Sequence, residues 1–301
     1  MKLLITGAWR FESEQLNQIK KMGHAVFFMQ NENDTLPCDY EDVEGVVCNS
    51  LFLYHPIEKF SNLYYIQLTS AGFDRVPMDY INEHNIKIFN ARGVYSIPMA
   101  EFAISGVLQL YKKSRFFYEN QKNRVWEKNR DVLELYGKTV CIVGCGNVGT
   151  ECAKRFRAFG CRVMGVDLYP REDDACEKIY SLDNLDNCLP QADIVVLTLP
   201  LTKETQHMMS ETRFNEMKNK SVLINIARGA VVDEQALLKA LDGKLLGAVL
   251  DVFEEEPLSS DNPLWQKNNV VLTPHNSFVG EGNLDRLYRV IIKNLENSLN
   301  A

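Results

Sequence analysis

The sequence predicts an α/β protein: a doubly wound parallel sheet inserted into a smaller α/β domain. Three observations carry this. Strand-length apolar runs alternate with helical patterns along the whole chain, as in parallel sheets covered by helices. A glycine turn, Val143-Gly144-Cys145-Gly146-Asn147-Val148-Gly149, sits in the middle of the sequence rather than near its start. One amphipathic stretch, Gly280 to Leu299, follows the last strand and is too short to be a domain. It is therefore expected to return to the first domain. A length of 301 residues accommodates about two domains with real cores.

The elements follow in order. Leu3 to Thr6, Ala25 to Met29, Gly45 to Cys48, Tyr64 to Leu68 and Ile86 to Phe89 read as short strands, with Glu12 to Met22 and Met78 to His84 as helices between them. Pro98 to Tyr118 reads as one long helix, with Pro near its first turn where it is tolerated. It is apolar up to Leu110 and basic after that. Lys138 to Val143 reads as a buried strand and Thr150 to Phe159 as a helix. Strands are then expected at Arg162 to Asp167, Asp193 to Leu199, Ser221 to Ile226, Leu246 to Leu250 and Val270 to Leu272, with a helix at Asp233 to Leu241. The expected domains are 1–97 plus 276–301, discontinuous, and 98–275.

The central turn is a G-x-G-x-x-G between a strand and a helix, the context a dinucleotide fingerprint needs. Gly144 allows the tight turn, Gly146 lets a pyrophosphate approach the backbone, and Gly149 lets the helix pack on the strand. The free N–H groups of the helix start can hold phosphate charge. Eighteen residues after Gly149, Asp167 ends the next strand, where a carboxylate can accept from the adenine ribose hydroxyls. It would repel a 2′-phosphate, which favours NAD over NADP, although nearby Arg171 works against that exclusion. The inserted domain is thus expected to be a Rossmann domain and the smaller one flavodoxin-like. Ile5-Thr6-Gly7-Ala8 is not a second fingerprint, because Trp9, Arg10 and Phe11 stand where further glycines would be needed.

Composition narrows the class. Hydrophobic content of 46% and charged content of 24% are ordinary for a globular protein. A net charge of -7 gives no support for nucleic-acid or anionic-membrane binding. The eight cysteines include no C-x-x-C pair, so zinc-ribbon and thioredoxin readings fail and reduced structural thiols in the cytoplasm are expected. The N-terminus lacks a signal-type apolar stretch, no run of about 18 apolar residues exists, and no metal site is suggested.

Three polar residues follow predicted strands of the second domain: Arg228 in Asn225-Ile226-Ala227-Arg228-Gly229, Glu256 in Glu254-Glu255-Glu256-Pro257, and His275 in Thr273-Pro274-His275-Asn276. Ligands bind at that carboxyl edge in open α/β sheets. Singly, each is commonly a structural or solvated residue. Beside a nicotinamide they form a set suited to hydride transfer at a 2-keto acid. The cation holds the carboxylate and polarises the carbonyl, and the histidine protonates the developing alkoxide. A paired carboxylate fixes the ring's tautomer. The other histidines, His24, His55, His84 and His207, read as structural, with His55 the one that could edge a pocket.

These segments resemble the NAD-dependent D-isomer-specific 2-hydroxyacid dehydrogenases over nearly the whole chain, most strongly from about Trp126 to Asn276. The resemblance implies catalytic roles for Arg228, Glu256 and His275. It implies cofactor contacts for Gly144, Gly146, Asn147, Val148, Gly149 and Asp167. It extends them to Thr198, Leu199, Pro200 and Thr205, and to Ala227, Arg228, Asp251 and His275. Thr69-Ser70-Ala71-Gly72-Phe73-Asp74 resembles the family loop that grips the substrate carboxylate by backbone N–H groups, so Ser70, Ala71 and Gly72 join Arg228 and His275 as substrate contacts. Asn90 and Ala100-Glu101 fit the family pattern at the domain junction. The resemblance also implies an active site in the cleft between two domains and a homodimer formed mainly through the cofactor domain. With the chain stopping near Ala301, no appended regulatory domain is expected.

Departures concern the pocket. His275 is followed by Asn276-Ser277-Phe278 where small residues are usual, and Asn90 by Ala91-Arg92-Gly93 rather than the frequent Pro-Gly. Glu256 fits the hydroxyacid branch, whereas related formate dehydrogenases carry Gln there. Tyr54, Tyr95, Trp126 and Phe278 are candidates for the pocket walls. The alternatives are a phosphoglycerate dehydrogenase-like activity, with Arg75 or Arg92 meeting a phosphate, and a non-catalytic NAD-sensing corepressor-like module.

Overall fold

The computed structural model describes residues 1–299. Two compact units form, Met1–Tyr95 with the segment from Gly280 onward, and Ser96–Val279. Residues 300 and 301, included in the expected first domain, lie outside the described residues.

The first unit is a five-stranded parallel sheet of β1 (Lys2–Thr6), β2 (Ala25–Met29), β3 (Gly45–Cys48), β4 (Tyr65–Leu68) and β5 (Lys87–Phe89), in the order β2-β1-β3-β4-β5, as in flavodoxin-like sheets. Alternate residues serve opposite faces. Leu4, Val46, Cys48, Ile66 and Leu68 pack on one side. On the other, Leu3, Ile5, Val47 and Tyr65 meet Leu287, Ile291 and Leu295 of the last helix, Asn283–Leu299. Each such buried side chain contributes about 1.5–3 kcal/mol over an exposed one, enough to hold that returning helix on this unit. Arg286 adds a bond from Nε to the Val94 carbonyl at 2.7 Å, and Asn294 donates to the buried Gln67 Oε1 at 2.8 Å.

The second unit is a seven-stranded parallel sheet: β6 (Thr139–Val143), β7 (Arg162–Asp167), β8 (Lys178–Ser181), β9 (Ile194–Leu197), β10 (Val222–Asn225), β11 (Gly247–Leu250) and β12 (Val270–Leu272), in the order β12-β11-β10-β9-β6-β7-β8. The chain winds outward from β6 through β7 to β8, then returns to β9 on the other side of β6. The glycine turn after β6 therefore stands at the switch in winding direction, where such sheets open a ligand crevice. Cys141, Val143, Val195, Leu197, Leu223 and Leu250 serve one core, and Val140, Ile142, Ile194, Val196, Ile224 and Val249 the other. Burial on both faces explains the unbroken apolar runs.

One expected element is corrected. Residues 98–118 are two helices, Ser96–Tyr111 and Ser114–Asn123, with Lys113 between them at φ 56°. The first half buries eight residues and the second none, so nothing holds the chain on its first axis. The break is instead tied to the returning segment: Leu133 N–H donates to the Tyr111 carbonyl at 2.9 Å, and Lys112 Nζ to the Leu133 carbonyl at 2.7 Å. The strand β8 was absent from the sequence reading, as were several short helical turns. No described helix is long and apolar enough to cross a membrane.

Candidate active site

The glycine turn is built for close approach. Gly144 has φ +97°, and a Cβ there would lie 2.7 Å from the Leu199 N. A Cβ on Gly149 would lie 2.0 Å from the Gly144 carbonyl oxygen, so the helix Asn147–Ala158 sits directly against the turn. Thr198 Oγ1 donates to that same carbonyl at 2.5 Å. The helix opens at Gly146 with no side-chain cap, leaving first-turn N–H groups for an anion. A Cβ on Gly146 would meet nothing within 4 Å, so the outer side of the turn is bare. These features fit a bound diphosphate.

Asp167 ends β7 beside this turn. Its Oδ2 accepts from the Cys145 N–H at 2.6 Å and its Oδ1 from the Tyr169 N–H at 2.9 Å. Each carboxylate oxygen keeps a second lone pair for a ribose hydroxyl. Arg171 is turned onto the Cys145 carbonyl and lies 3.5 Å from Asp173.

The remaining expected cofactor residues form the floor of the same edge. Leu199 and Ala227 are buried, and Ala227 N–H donates to Asn225 Oδ1 at 3.1 Å. Thr205 is largely a loop brace: its hydroxyl donates to the Pro200 carbonyl at 2.8 Å and accepts from the Thr202 N–H at 2.7 Å. Val148 packs into the core of this unit, and Asn147 leads the helix.

Arg228, Glu256 and His275 each follow a strand of this sheet, β10, β11 and β12 in turn. His275 Nδ1 and Glu256 Oε2 are 2.8 Å apart. A carboxylate can only accept, so Nδ1 carries the proton and Nε2 is the working nitrogen. Glu256 is anchored in turn, its Oε1 accepting from the Phe253 N–H at 3.0 Å. Arg228 donates from NH1 to the Ala227 carbonyl at 2.8 Å. The Phe278 ring stands edge-on to the imidazole, with centroids 6.1 Å apart.

His275 has φ 50°, a left-handed conformation that costs a residue with a side chain free energy. Asp251 imposes it. The Asp251 carboxylate is fully buried and accepts from Thr273 Oγ1 at 2.6 Å, Asn276 N–H at 2.7 Å and Ser277 N–H at 2.9 Å. Its own carbonyl accepts the His275 N–H at 2.8 Å. Beyond the cofactor contact expected of it, Asp251 thus braces the histidine loop. The signal available was a charged residue closing an otherwise apolar strand.

In the first unit, Asn90 Nδ2 donates to the Ala71 carbonyl at 2.6 Å, Ala91 N–H to the Ser70 carbonyl at 2.8 Å, and Ser70 Oγ to the Gly72 carbonyl at 3.0 Å. The carbonyls of this loop are thus tied back. Glu32 fixes the neighbouring loop, accepting from the Asn49 and Ser50 N–H groups at 2.6 Å each and from Thr6 Oγ1 at 2.8 Å. His55 is buried and hydrogen-bonds Tyr40 at 2.9 Å. His207 Nε2 lies 3.2 Å from Glu254. Of the proposed wall residues, Tyr95 donates to the Thr69 carbonyl and Trp126 is 98% exposed.

Comparison with known proteins gives the same picture. A family model described as D-isomer specific 2-hydroxyacid dehydrogenase, NAD binding domain, matches residues 104–277. A glyoxylate reductase of Korarchaeum cryptofilum is 34% identical over 232 residues, covering 75% of this chain and 70% of the relative. A D-3-phosphoglycerate dehydrogenase of Methanocaldococcus jannaschii is 36% identical over 222 residues, 73% of this chain but 42% of that longer protein. Among solved structures, D-lactate dehydrogenase from Aquifex aeolicus, complexed with NAD and lactic acid, superposes with a TM-score of 0.78 at 26% identity, covering 99% of this chain and 96% of that one. With the model covering more than half of the sequence, the chain belongs to the D-isomer specific 2-hydroxyacid dehydrogenases, NAD-dependent oxidoreductases.

Proposed function

We propose that the protein reduces small 2-keto acids to D-2-hydroxy acids with NADH, and that Arg228, Glu256 and His275 do the work. The observation that carries this is the 2.8 Å pairing of His275 Nδ1 with a backbone-anchored Glu256, which fixes the ring so that Nε2 accepts a proton in the neutral ring and gives one when the ring carries two. Bound NADH would supply the hydride. Arg228 holds the substrate carboxylate and polarises the carbonyl. His275 Nε2 gives its proton to the carbonyl oxygen, and Glu256 stabilises the imidazolium beforehand. In the oxidative direction His275 accepts the hydroxyl proton.

NADH rather than NADPH is supported by the Asp167 carboxylate beside the turn and by Arg171 facing Cys145 and Asp173. A homodimer is supported by exposed aromatic surface on the Ser96–Val279 unit, where Trp126 is 98% and Tyr136 79% exposed. Eight free cysteines support the cytoplasm. A light-scattering mass near the 34.4 kDa of one chain would contradict the dimer, and recovery outside the soluble fraction the compartment.

The test follows loss of NADH and NADPH against glyoxylate, hydroxypyruvate, pyruvate, phosphohydroxypyruvate and bulkier keto acids. Turnover is expected with NADH and at least one small, unphosphorylated acid. Tight NADH binding with no turnover on any acid would instead favour a sensing module, and a preference for NADPH would remove the role given to Asp167.

A further inference from the structure

Cys145 lies inside the glycine turn and is 1% exposed. Its backbone is a junction: the N–H donates to Asp167, and the carbonyl accepts from Thr150 Oγ1 at 3.4 Å and from the Arg171 guanidinium. Cys176, half-buried on the loop before β8, is far away in sequence. The two meet over Gly165 of β7. A Cβ on Gly165 would lie 2.4 Å from Cys145 Sγ and 3.5 Å from Cys176 Sγ, so glycine leaves room for the Cys145 sulfur with that of Cys176 close by. Both are free thiols, and the Cys145 sulfur donates weakly to the Ile142 and Val166 carbonyls at 3.7 and 3.9 Å.

The pair is asymmetric. The neighbouring Cys145 thiol, helped by the Arg171 and Arg157 guanidinium groups, pulls the Cys176 thiol below its ordinary range despite partial burial and Asp173. The Cys145 thiol is pushed up by its Cys176 neighbour, then by burial and by Asp167. A groove of about 610 Å³, lined by Lys154, Arg157, Glu172, Asp173, Asp174 and Ala175, adjoins Cys176 through Ala175. A half-buried thiol with a lowered pKa beside a buried partner is the arrangement of an oxidation-sensitive site. Cys141 and Cys188 also interact, but both are sealed at 0% and 2% exposure.

We propose that Cys145 and Cys176 close into a disulfide on exposure to a peroxide, and that closure weakens the hold of the glycine turn on NAD(H). The Cys176 thiolate attacks one peroxide oxygen. The O–O bond breaks, hydroxide leaves, and Cys176 becomes a sulfenic acid. The Cys145 sulfur then attacks the Cys176 sulfur. The S–S bond forms, the S–O bond breaks, and the hydroxyl leaves as water with the Cys145 proton. Two thiols lose two electrons, and one hydrogen peroxide becomes two waters. Drawing Cys145 towards the β8 side shifts the N–H and carbonyl that tie the turn to Asp167, Thr150 and Arg171. The turn has little room to absorb this, because even a Cβ on Gly144 would lie 2.7 Å from the Leu199 N and one on Gly149 2.0 Å from the Gly144 carbonyl oxygen. Its diphosphate-binding N–H groups lose alignment. Coupling is reciprocal at equilibrium, so bound NADH makes the disulfide easier to reduce.

The test treats the full chain with limited hydrogen peroxide, removes the oxidant, maps cross-linked peptides by mass, and titrates NADH by fluorescence before and after a thiol reductant. The expected result is a Cys145–Cys176 cross-link, NADH binding weaker by about tenfold, an ordinary size for coupled sites, recovery on reduction, and opening of the cross-link by less reductant when NADH is present. Cys176→Ser is expected to bind NADH like the parent and to keep that affinity after peroxide. Absence of the cross-link once thiols have been consumed, a cross-linked protein with unchanged NADH affinity, or a Cys176→Ser protein that still loses affinity would each overturn the proposal. The readouts are a cross-link and a binding constant, so failure of the substrate assignment leaves this test intact.

Discussion

Replacing His275 with alanine is expected to lower kcat for 2-keto acid reduction by about 10²–10⁴-fold, the range of a positioned general acid. Most of the NADH affinity should remain, since the turn at Gly144 and the Asp167 carboxylate are on other loops, and only the contact expected of His275 itself is lost. The backbone needs its own control. His275 sits at φ 50°, which alanine tolerates no better, whereas asparagine adopts this region more readily. His275→Asn should therefore keep the Asp251-braced loop and the thermal stability while losing the same turnover. Glu256→Gln leaves the imidazole without a stabilising charge, so its loss should be intermediate. Full activity in His275→Asn, measured as initial NADH loss at saturating substrate, would remove the histidine from the mechanism.

Arg228→Ala is the second large effect. A fixed cation aimed at a developing oxyanion contributes about 10²–10³-fold in kcat, and the same guanidinium is assigned the ground-state carboxylate. Losing both should cost kcat/KM for a 2-keto acid more than kcat alone, about 10³-fold or beyond. Arg228→Lys keeps the charge but not the planar fork that matches a carboxylate, so it should recover part of kcat and less of KM. Steady-state kinetics of both variants, with NADH held saturating, separates the two roles. An Arg228→Ala enzyme with unchanged KM for the keto acid would place the carboxylate elsewhere.

Much of this was legible because the signals were local. The strand β6, the three glycines and Asp167 lie within about one winding of the sheet; the roles of Gly144 and Gly149 follow from what a Cβ would strike, and that of Gly146 from the bare side of the turn a Cβ would cover. The edge residues Arg228, Glu256 and His275 were legible because each directly follows an apolar strand. What escaped depended on non-local contacts. The break at Lys113 reflects absence of a core beneath Ser114–Asn123, which the apolar-to-basic change hinted at but did not require. The bracing by Asp251 reaches 25 or 26 residues along the chain to Asn276 and Ser277. The meeting of Cys145 with Cys176 exists because β7 pairs with β8 across Gly165, and β8 itself was not recognised. His207 looked bland because its partner Glu254 belongs to a different loop.

The most direct test of the central claim is the configuration of the product. The purified protein is incubated with NADH and pyruvate or hydroxypyruvate, whichever turns over, and the hydroxy acid is resolved on a chiral column against the NADH consumed. The account predicts one D-2-hydroxy acid formed per NADH lost. An L or racemic product, or NADH loss without a hydroxy acid, would contradict it.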